Sequence, residues 1–425
     1  LLLRLDSREL AALVSTGVAV GMILGVARYG LGIIAVCWRR YGTGVPLLEV
    51  LSTPSDDLLP ASTRAESVLT RHMPGVDLLR GLAILAVIIF HGFSYSTPLF
   101  PWHNKLAAAL FHLTSFGWTG VNLFFTLSGF LITGNLIDSD GKSNFYSRFY
   151  IRRALRILPA YFLVLIILGV TRTASLNYLV VCVIFLANWP KLLLHGSFVL
   201  YPVLWSLAVE EQFYAAWPWL YRKLHKNGLL ALCVAMILFC PILRGVTISL
   251  SKADIFSKTF MIGDNLAVGA AIAILCRSRR LSLTALVWIG TAALCISGLT
   301  LLVLSNTGHT IKDDALGASI GYTMLEWFTG GMLILMLCAY RTRPIQRGLG
   351  FLLFFGEISY GLYLIHMLCE MGYDHFFGNG YLTHSGALLV RFVVANGIAI
   401  LLATLSKLYF ENPIMRLKER IPAAR

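Results

Sequence analysis

Long apolar runs alternate with short basic ones along the whole chain. A helix that crosses a bilayer needs about 20 mostly apolar residues. Runs of that kind cover 10–37, 78–98, 116–137, 228–243, 260–276, 281–304, 318–340, 349–371 and 385–409. Three more apolar stretches lie at 157–170, 176–189 and 199–220. The first two are only about 14 residues long, a length that often re-enters or lies at an interface instead of spanning. Lys- and Arg-rich loops stay cytoplasmic, and such clusters stand at Arg39/Arg40, from Lys142 to Arg156, from Arg222 to Lys226, at Arg277/Arg279/Arg280, at Arg341/Arg343/Arg347 and from Lys407 onward. The chain is therefore cytoplasmic near Arg156 and again near Arg222, and must cross an even number of times between them. Two crossings are expected there, with one short segment incomplete.

The pattern predicts an all-α polytopic membrane protein. A core of about ten helices spans 76–418, with both ends cytoplasmic. An extra transmembrane helix within 1–40, read as retained and not as a cleaved signal, puts residue 1 outside. Residues 41–75, with "STPSDDLLPASTRAES", are polar, Pro-containing and aperiodic, and read as a cytoplasmic linker. Residues 419–425 form a cytoplasmic tail. No internal repeat is visible.

Composition agrees with this pattern. Only 13% of the 425 residues are charged and 57% are hydrophobic, against roughly 25% charged in soluble domains. The mean hydropathy is +0.74. A chain this apolar cannot cover a soluble globule with polar surface. The net charge of +14, from 35 Lys and Arg against 21 Asp and Glu, fits basic loops facing anionic lipid; no nucleic-acid role is expected. The eight cysteines form no CxxC pair and read as small hydrophobes, with no metal site expected.

Ionisable residues inside spans carry the candidate chemistry, because each costs about 2.5–3.5 kcal/mol on insertion scales. In "VDLLRGLAILAVIIFHGF", Arg80 and His91 are eleven residues apart. At 100° per residue they share one helix face, and they lie about 16 Å apart along the axis. Arg80 reads either as a snorkelling anchor or as a functional cation. His91 reads either as a satisfied core histidine or as a general base, since neutral imidazole is cheap to bury and titrates near working pH. In "GVNLFFTLSGFLITGNL", the Ser128-Gly129 pair lets neighbouring helices approach closely. In "YIRRALRILPAY", Arg153 and Arg156 share a face, with Arg152 beside them and Pro159 and Tyr161 following. An all-Arg cluster suits phosphate, which the guanidinium fork grips bidentately, although it would also mark topology. "LWSLAVEEQFY" places Glu210, Glu211 and Gln212 inside an aromatic span, with Glu210 and Tyr214 on one face. Asp264, Glu326, Glu357, His366 and Glu411 are isolated.

Taken together, in order and spacing, these runs resemble the acyltransferase-3 family of integral membrane acyltransferases. The likeness covers about 74–418 and rests on the Arg-x10-His helix, "GVNLFFTLSGFLI", "RRALRILPAY", "LWSLAVEEQFY", "ISYGLYLIH" and "FENPIMRL". It implies a ten-helix core that takes an acyl group, often acetyl, from cytoplasmic acyl-CoA. The acceptor would be a hydroxyl of a glycan or other molecule, commonly at the extracytoplasmic face. Three departures stand out: the extra N-terminal helix, the lack of the C-terminal SGNH hydrolase-like domain fused to some members, and the lack of an arginine shortly before Asp264.

Residues and resemblance together give a set of expectations. Arg80, Arg152, Arg153 and Arg156 would bind acyl-CoA, a donor substrate and not a resident cofactor. His91 would be the catalytic base, with Glu210 orienting or stabilising its imidazolium. Ser128, Tyr161, Trp205, Gln212, Tyr214, Asp264, Tyr360 and His366 would line the cavity. Direct transfer and an acyl-enzyme fit the sequence equally well. The expected location is a bacterial cytoplasmic membrane, with cell-surface polysaccharide or lipopolysaccharide as the first acceptor and a small secreted metabolite as the second. Acceptor choice would lie in loops at 99–115, 244–259, 305–317 and 372–384. A secondary transporter would also need buried charges, but the chain shows no pair of matching broken helices.

Overall fold

The computed structural model describes residues 73–95, 114–142, 144–195, 197–251, 255–278, 281–312, 314–342, 350–378 and 385–417, together with 68 and 69. The expected N-terminal helix, most of the 41–75 linker, the Arg343 and Arg347 part of one basic cluster, most of the 99–115 loop and the 419–425 tail lie outside the described residues.

The described chain is all-helical. Its main elements are α1 (Pro74–Ile89), α2 (Gly120–Ile137), α3 (Phe145–Val170), α4 (Leu176–Val183), α5 (Leu204–Ser251), α6 (Thr259–Cys276), α7 (Leu283–Asn306), α8 (Tyr322–Thr342), α9 (Gly350–Phe377) and α10 (Ser385–Ser406). Nine segments among the described residues are long and apolar enough to cross a membrane. One of them, α5, is two helices. Its Gln212 accepts from Thr259 at the start of α6, and so does its Arg244 reach that end, donating to the Met261 carbonyl at 2.6 Å. A straight helix could not touch the same end of α6 from positions 32 residues apart. The chain doubles back at His225, which leaves the helical region with φ 54°. Counting α5 twice gives the ten expected core spans.

The fold also settles the short segments. α3 runs unbroken for 26 residues, carrying 157–170 across, whereas α4 has only eight residues. At about 1.5 Å per residue α4 cannot span. It is pinned where it stands: Tyr161 Oη donates to the Cys182 carbonyl at 2.8 Å, and Gln212 Nε2 donates to the Phe185 carbonyl at 2.8 Å and to Asn188 Oδ1 at 2.9 Å.

Basic residues gather at one end. There Arg277 closes α6 onto Asp138 at 2.7 Å, and Arg222 pairs with Asp140 at 3.3 Å. This is termed the basic end below.

Two helix pairs are in backbone contact through glycine. A Cβ on Gly129 of α2 would stand 1.9 Å from the Leu266 carbonyl of α6, and one on Gly269 of α6 would stand 1.9 Å from the Thr126 carbonyl of α2. Gly81 of α1 and Gly356 of α9 make the same reciprocal contact, with a Cβ of either 2.0 Å from a carbonyl of the other helix. Without a hydrophobic driving force between helices in lipid, such close van der Waals packing is what joins them. One joint fixes the register of α2 against α6, and the other that of α1 against α9.

Candidate active site

A cavity with about 770 Å³ of empty space, its open mouth included, lies between α1, α2, α3, α5 and α9. Arg80 from α1, Ser128 from α2, Arg153 and Arg156 from α3, Glu210 and Glu211 from α5, and Tyr360 from α9 all line it. The expected donor-binding arginines thus converge from two helices, with one exception. Arg152 is exposed and outside the cavity lining. It sits 100° round the helix from Arg153, whereas Arg156, three residues on, returns to the same face.

The cavity's polar groups hold each other. Ser128 Oγ donates to Glu210 Oε1 at 2.7 Å, and Tyr214 Oη donates to Glu210 Oε2 at 3.0 Å. The Arg153 guanidinium lies 3.8 Å over the Tyr214 ring, a cation–π contact. Asp77 stands 3.6 Å from Arg80. Tyr360 Oη donates to the Ile157 carbonyl at 2.8 Å and ties α9 to α3. Among the described residues, Arg153 Nε is buried without a hydrogen-bond partner. Buried polar atoms are rarely orphaned, so this donor is suited to take an acceptor from a bound molecule.

His91 and His366 form a second centre. The rings are 5.0 Å apart, and His366 Nε2 is 3.2 Å from His91 Nδ1. Their tautomers follow from their other partners. His91 Nδ1 is 3.0 Å from the Val87 carbonyl and His366 Nδ1 is 3.0 Å from the Leu362 carbonyl. A carbonyl only accepts, so each Nδ1 carries the proton in a neutral ring. His91 Nδ1–H is then shared between Val87 O and the lone pair of His366 Nε2, and Nε2 becomes the basic nitrogen of His91. His91 stands in a π turn, Phe90–Tyr95, that breaks the regular ladder of α1; such bulges recur at functional sites.

Among the described contacts, Glu210 holds Ser128 and Tyr214, while His91 Nδ1 meets His366 Nε2. The two centres meet at Tyr363, which lines the cavity and whose ring is 6.0 Å from that of His366.

Other expected lining residues have structural partners. Tyr161 and Gln212 secure α4, as described. Trp205 packs edge-on against Phe125, with ring centroids 6.1 Å apart. Asp264 is in a different, fully buried cluster. Arg244 donates to both its oxygens at 2.9 and 2.7 Å, to the Ala318 and Met261 carbonyls, and to Thr323 Oγ1, with Glu326 at 3.6 Å. The arginine missing just before Asp264 is therefore supplied from 20 residues upstream, by the returning half of α5. Removing one partner of such a buried set costs about 3–5 kcal/mol.

Sequence reasoning passed over Ser206 and Tyr363, which line the cavity, although both stand inside quoted motifs. It also passed over Arg391, which pairs with Asp374 at 2.7 Å and with Glu370 at 3.5 Å. His366, Glu370 and Asp374 at i, i+4 and i+8 are one stripe of α9, a pattern that could have been found.

Comparison with known proteins agrees with this architecture. A "Putative O-acetyltransferase" of Staphylococcus aureus is 35% identical over 166 residues, 35% of this chain and 24% of the relative. A "Putative peptidoglycan O-acetyltransferase" of Bacillus subtilis is 30% identical over 240 residues, 50% of this chain and 34% of the relative. A peptidoglycan O-acetyltransferase of Listeria monocytogenes is 30% identical over 165 residues, 35% of this chain and 24% of the relative. The matched part of the chain thus spans about a third or less of these relatives. No solved structure is significantly similar to it. The family model described as an acyltransferase domain matches residues 73–407, which include every helix around the cavity and the histidine pair, and the chain belongs to this family, acyltransferase-3.

Proposed function

We propose that the protein is a membrane O-acyltransferase. It takes an acetyl group from acyl-CoA bound at the basic end and passes it to a hydroxyl of a surface glycan at the opposite face. The observation that carries this reading is the cavity in which Arg80, Arg153 and Arg156 converge, with Tyr363 of its lining beside His366. The names of the relatives support a glycan acceptor.

In this reading the arginines grip the CoA phosphates through charge-assisted bonds. Glu210 fixes Tyr214 beneath Arg153 and so aims the guanidinium. The pantetheine arm then runs along α1. Arg80 and His91 are about 16 Å apart on one face, so an acyl carbon at the end of an extended arm arrives near the histidines, not near the phosphate grip. His91 Nε2 takes the proton of the acceptor hydroxyl, and His366 keeps the ring in the tautomer that makes Nε2 the base. The basic end is cytoplasmic, where acyl-CoA is made and where basic loops remain; the membrane is the bacterial cytoplasmic membrane.

Mass spectrometry of surface glycans from cells with and without the protein tests this reading. A base-labile mass step of one acetyl group is expected only with the protein, and it should vanish in cells that carry His91→Ala. Identical glycans in all three, with the protein present in the membrane, contradict it.

A further inference from the structure

We propose that Tyr363, backed by Ser206, donates the hydrogen bond that holds the thioester carbonyl as it becomes an oxyanion. This inference rests on the acyl-transfer reading above and adds a catalytic group to it.

Three observations point to this position. First, Tyr363 lies between the two centres. It lines the donor cavity, and it sits three residues, about 4.5 Å of helix rise, before His366, with the rings 6.0 Å apart. An acyl group held between the arginines and His91 would lie beside this ring. Second, its hydroxyl is redirectable. Ser206 Oγ donates to the Val203 carbonyl at 3.1 Å. Tyr363 Oη is 2.5 Å from Ser206 Oγ and 3.3 Å from the same carbonyl. Two hydroxyls thus share one carbonyl acceptor, so the Tyr363 O–H can turn to a stronger acceptor while Ser206 keeps the Val203 carbonyl bonded. Third, the ring is fixed in place. The ring of Tyr363 is held edge-on against Phe124 at 6.0 Å, and the residue is buried, which keeps the donor in place and dry.

The step balances as follows. The acceptor oxygen bonds to the thioester carbon while its proton moves to His91 Nε2. The C=O π pair moves onto oxygen, where the Tyr363 O–H meets it. Collapse re-forms C=O and breaks C–S, and the CoA sulfur takes the proton back from His91 Nε2–H. The products are the ester and CoA thiol.

Tyr363→Phe removes the hydroxyl and keeps the ring against Phe124 and His366. With purified protein, kcat should fall about 10²–10³-fold, the usual effect of losing one oxyanion donor, while KM for acetyl-CoA stays within about threefold. A kcat within threefold of wild type in an intact variant overturns the role. Should Tyr363→Phe not fold, fluorotyrosine placed at 363 preserves ring and hydroxyl; kcat should then change with phenol acidity, and an unchanged kcat overturns the role equally. The two readings fail differently. A wild-type protein that binds acetyl-CoA and never transfers contradicts acyl transfer itself. Active wild type beside an equally active Tyr363→Phe overturns only the tyrosine.

Discussion

Replacing His91 with alanine should lower kcat for acyl transfer about 10²–10⁴-fold, the range over which a general base acts, while acetyl-CoA binds as tightly as before. The separation of the two centres makes this split sharp. His91 is not among the groups lining the arginine cavity, so its loss leaves the phosphate grip untouched. His366→Gln should lower kcat less, because it disturbs only the partner that shares the His91 Nδ1 proton at 3.2 Å. Calorimetric titration with acetyl-CoA and a thiol-release assay on the same preparation measure both quantities. Full turnover by His91→Ala removes the base from its role.

Arg153→Ala should show the opposite split. Charge-assisted hydrogen bonds contribute about 1.5–3 kcal/mol each, so losing this grip should raise the Kd for acetyl-CoA about 10- to 150-fold. At saturating donor, kcat should recover most of its value. Arg153→Lys should fall between the two, since it retains the charge but not the planar fork. CoA lacking its phosphates should bind wild type and Arg153→Ala equally weakly. An unchanged Kd in Arg153→Ala refutes the donor role of the cavity.

The sequence displayed whatever depends on one helix at a time. Apolar run length and basic clusters gave the ten core spans, because each span must satisfy its own backbone and fill the bilayer by itself. Helical periodicity put Arg153 beside Arg156, and Glu210 beside Tyr214, where the structure has a 3.0 Å hydrogen bond. The Ser128-Gly129 pair signalled a close helix contact, and Gly129 makes one with Leu266. Partnerships between helices were the part that could not be read. Burial and charge alone suggest His91 beside Glu210, whereas the ring that meets His91 Nδ1 belongs to His366, 275 residues away. No arginine stands just before Asp264 in the chain, and Arg244 reaches it only after α5 turns back at His225. Periodicity fixes the face and depth of a residue in its own helix. Which helix stands opposite is decided by packing, here by the Gly81–Gly356 and Gly129–Gly269 joints, and one sequence does not display it.

The central claim is that acyl groups pass from a donor at the arginine cavity to a hydroxyl acceptor by way of the histidine pair. Purified protein in proteoliposomes, given labelled acetyl-CoA on the side of the basic end and glycan fragments on the other, tests it most directly. The expected result is label in a base-labile ester on the glycan, with an equal amount of CoA thiol on the donor side, and neither product from His91→Ala. Folded wild-type protein that binds acetyl-CoA but yields neither ester nor thiol would contradict the account.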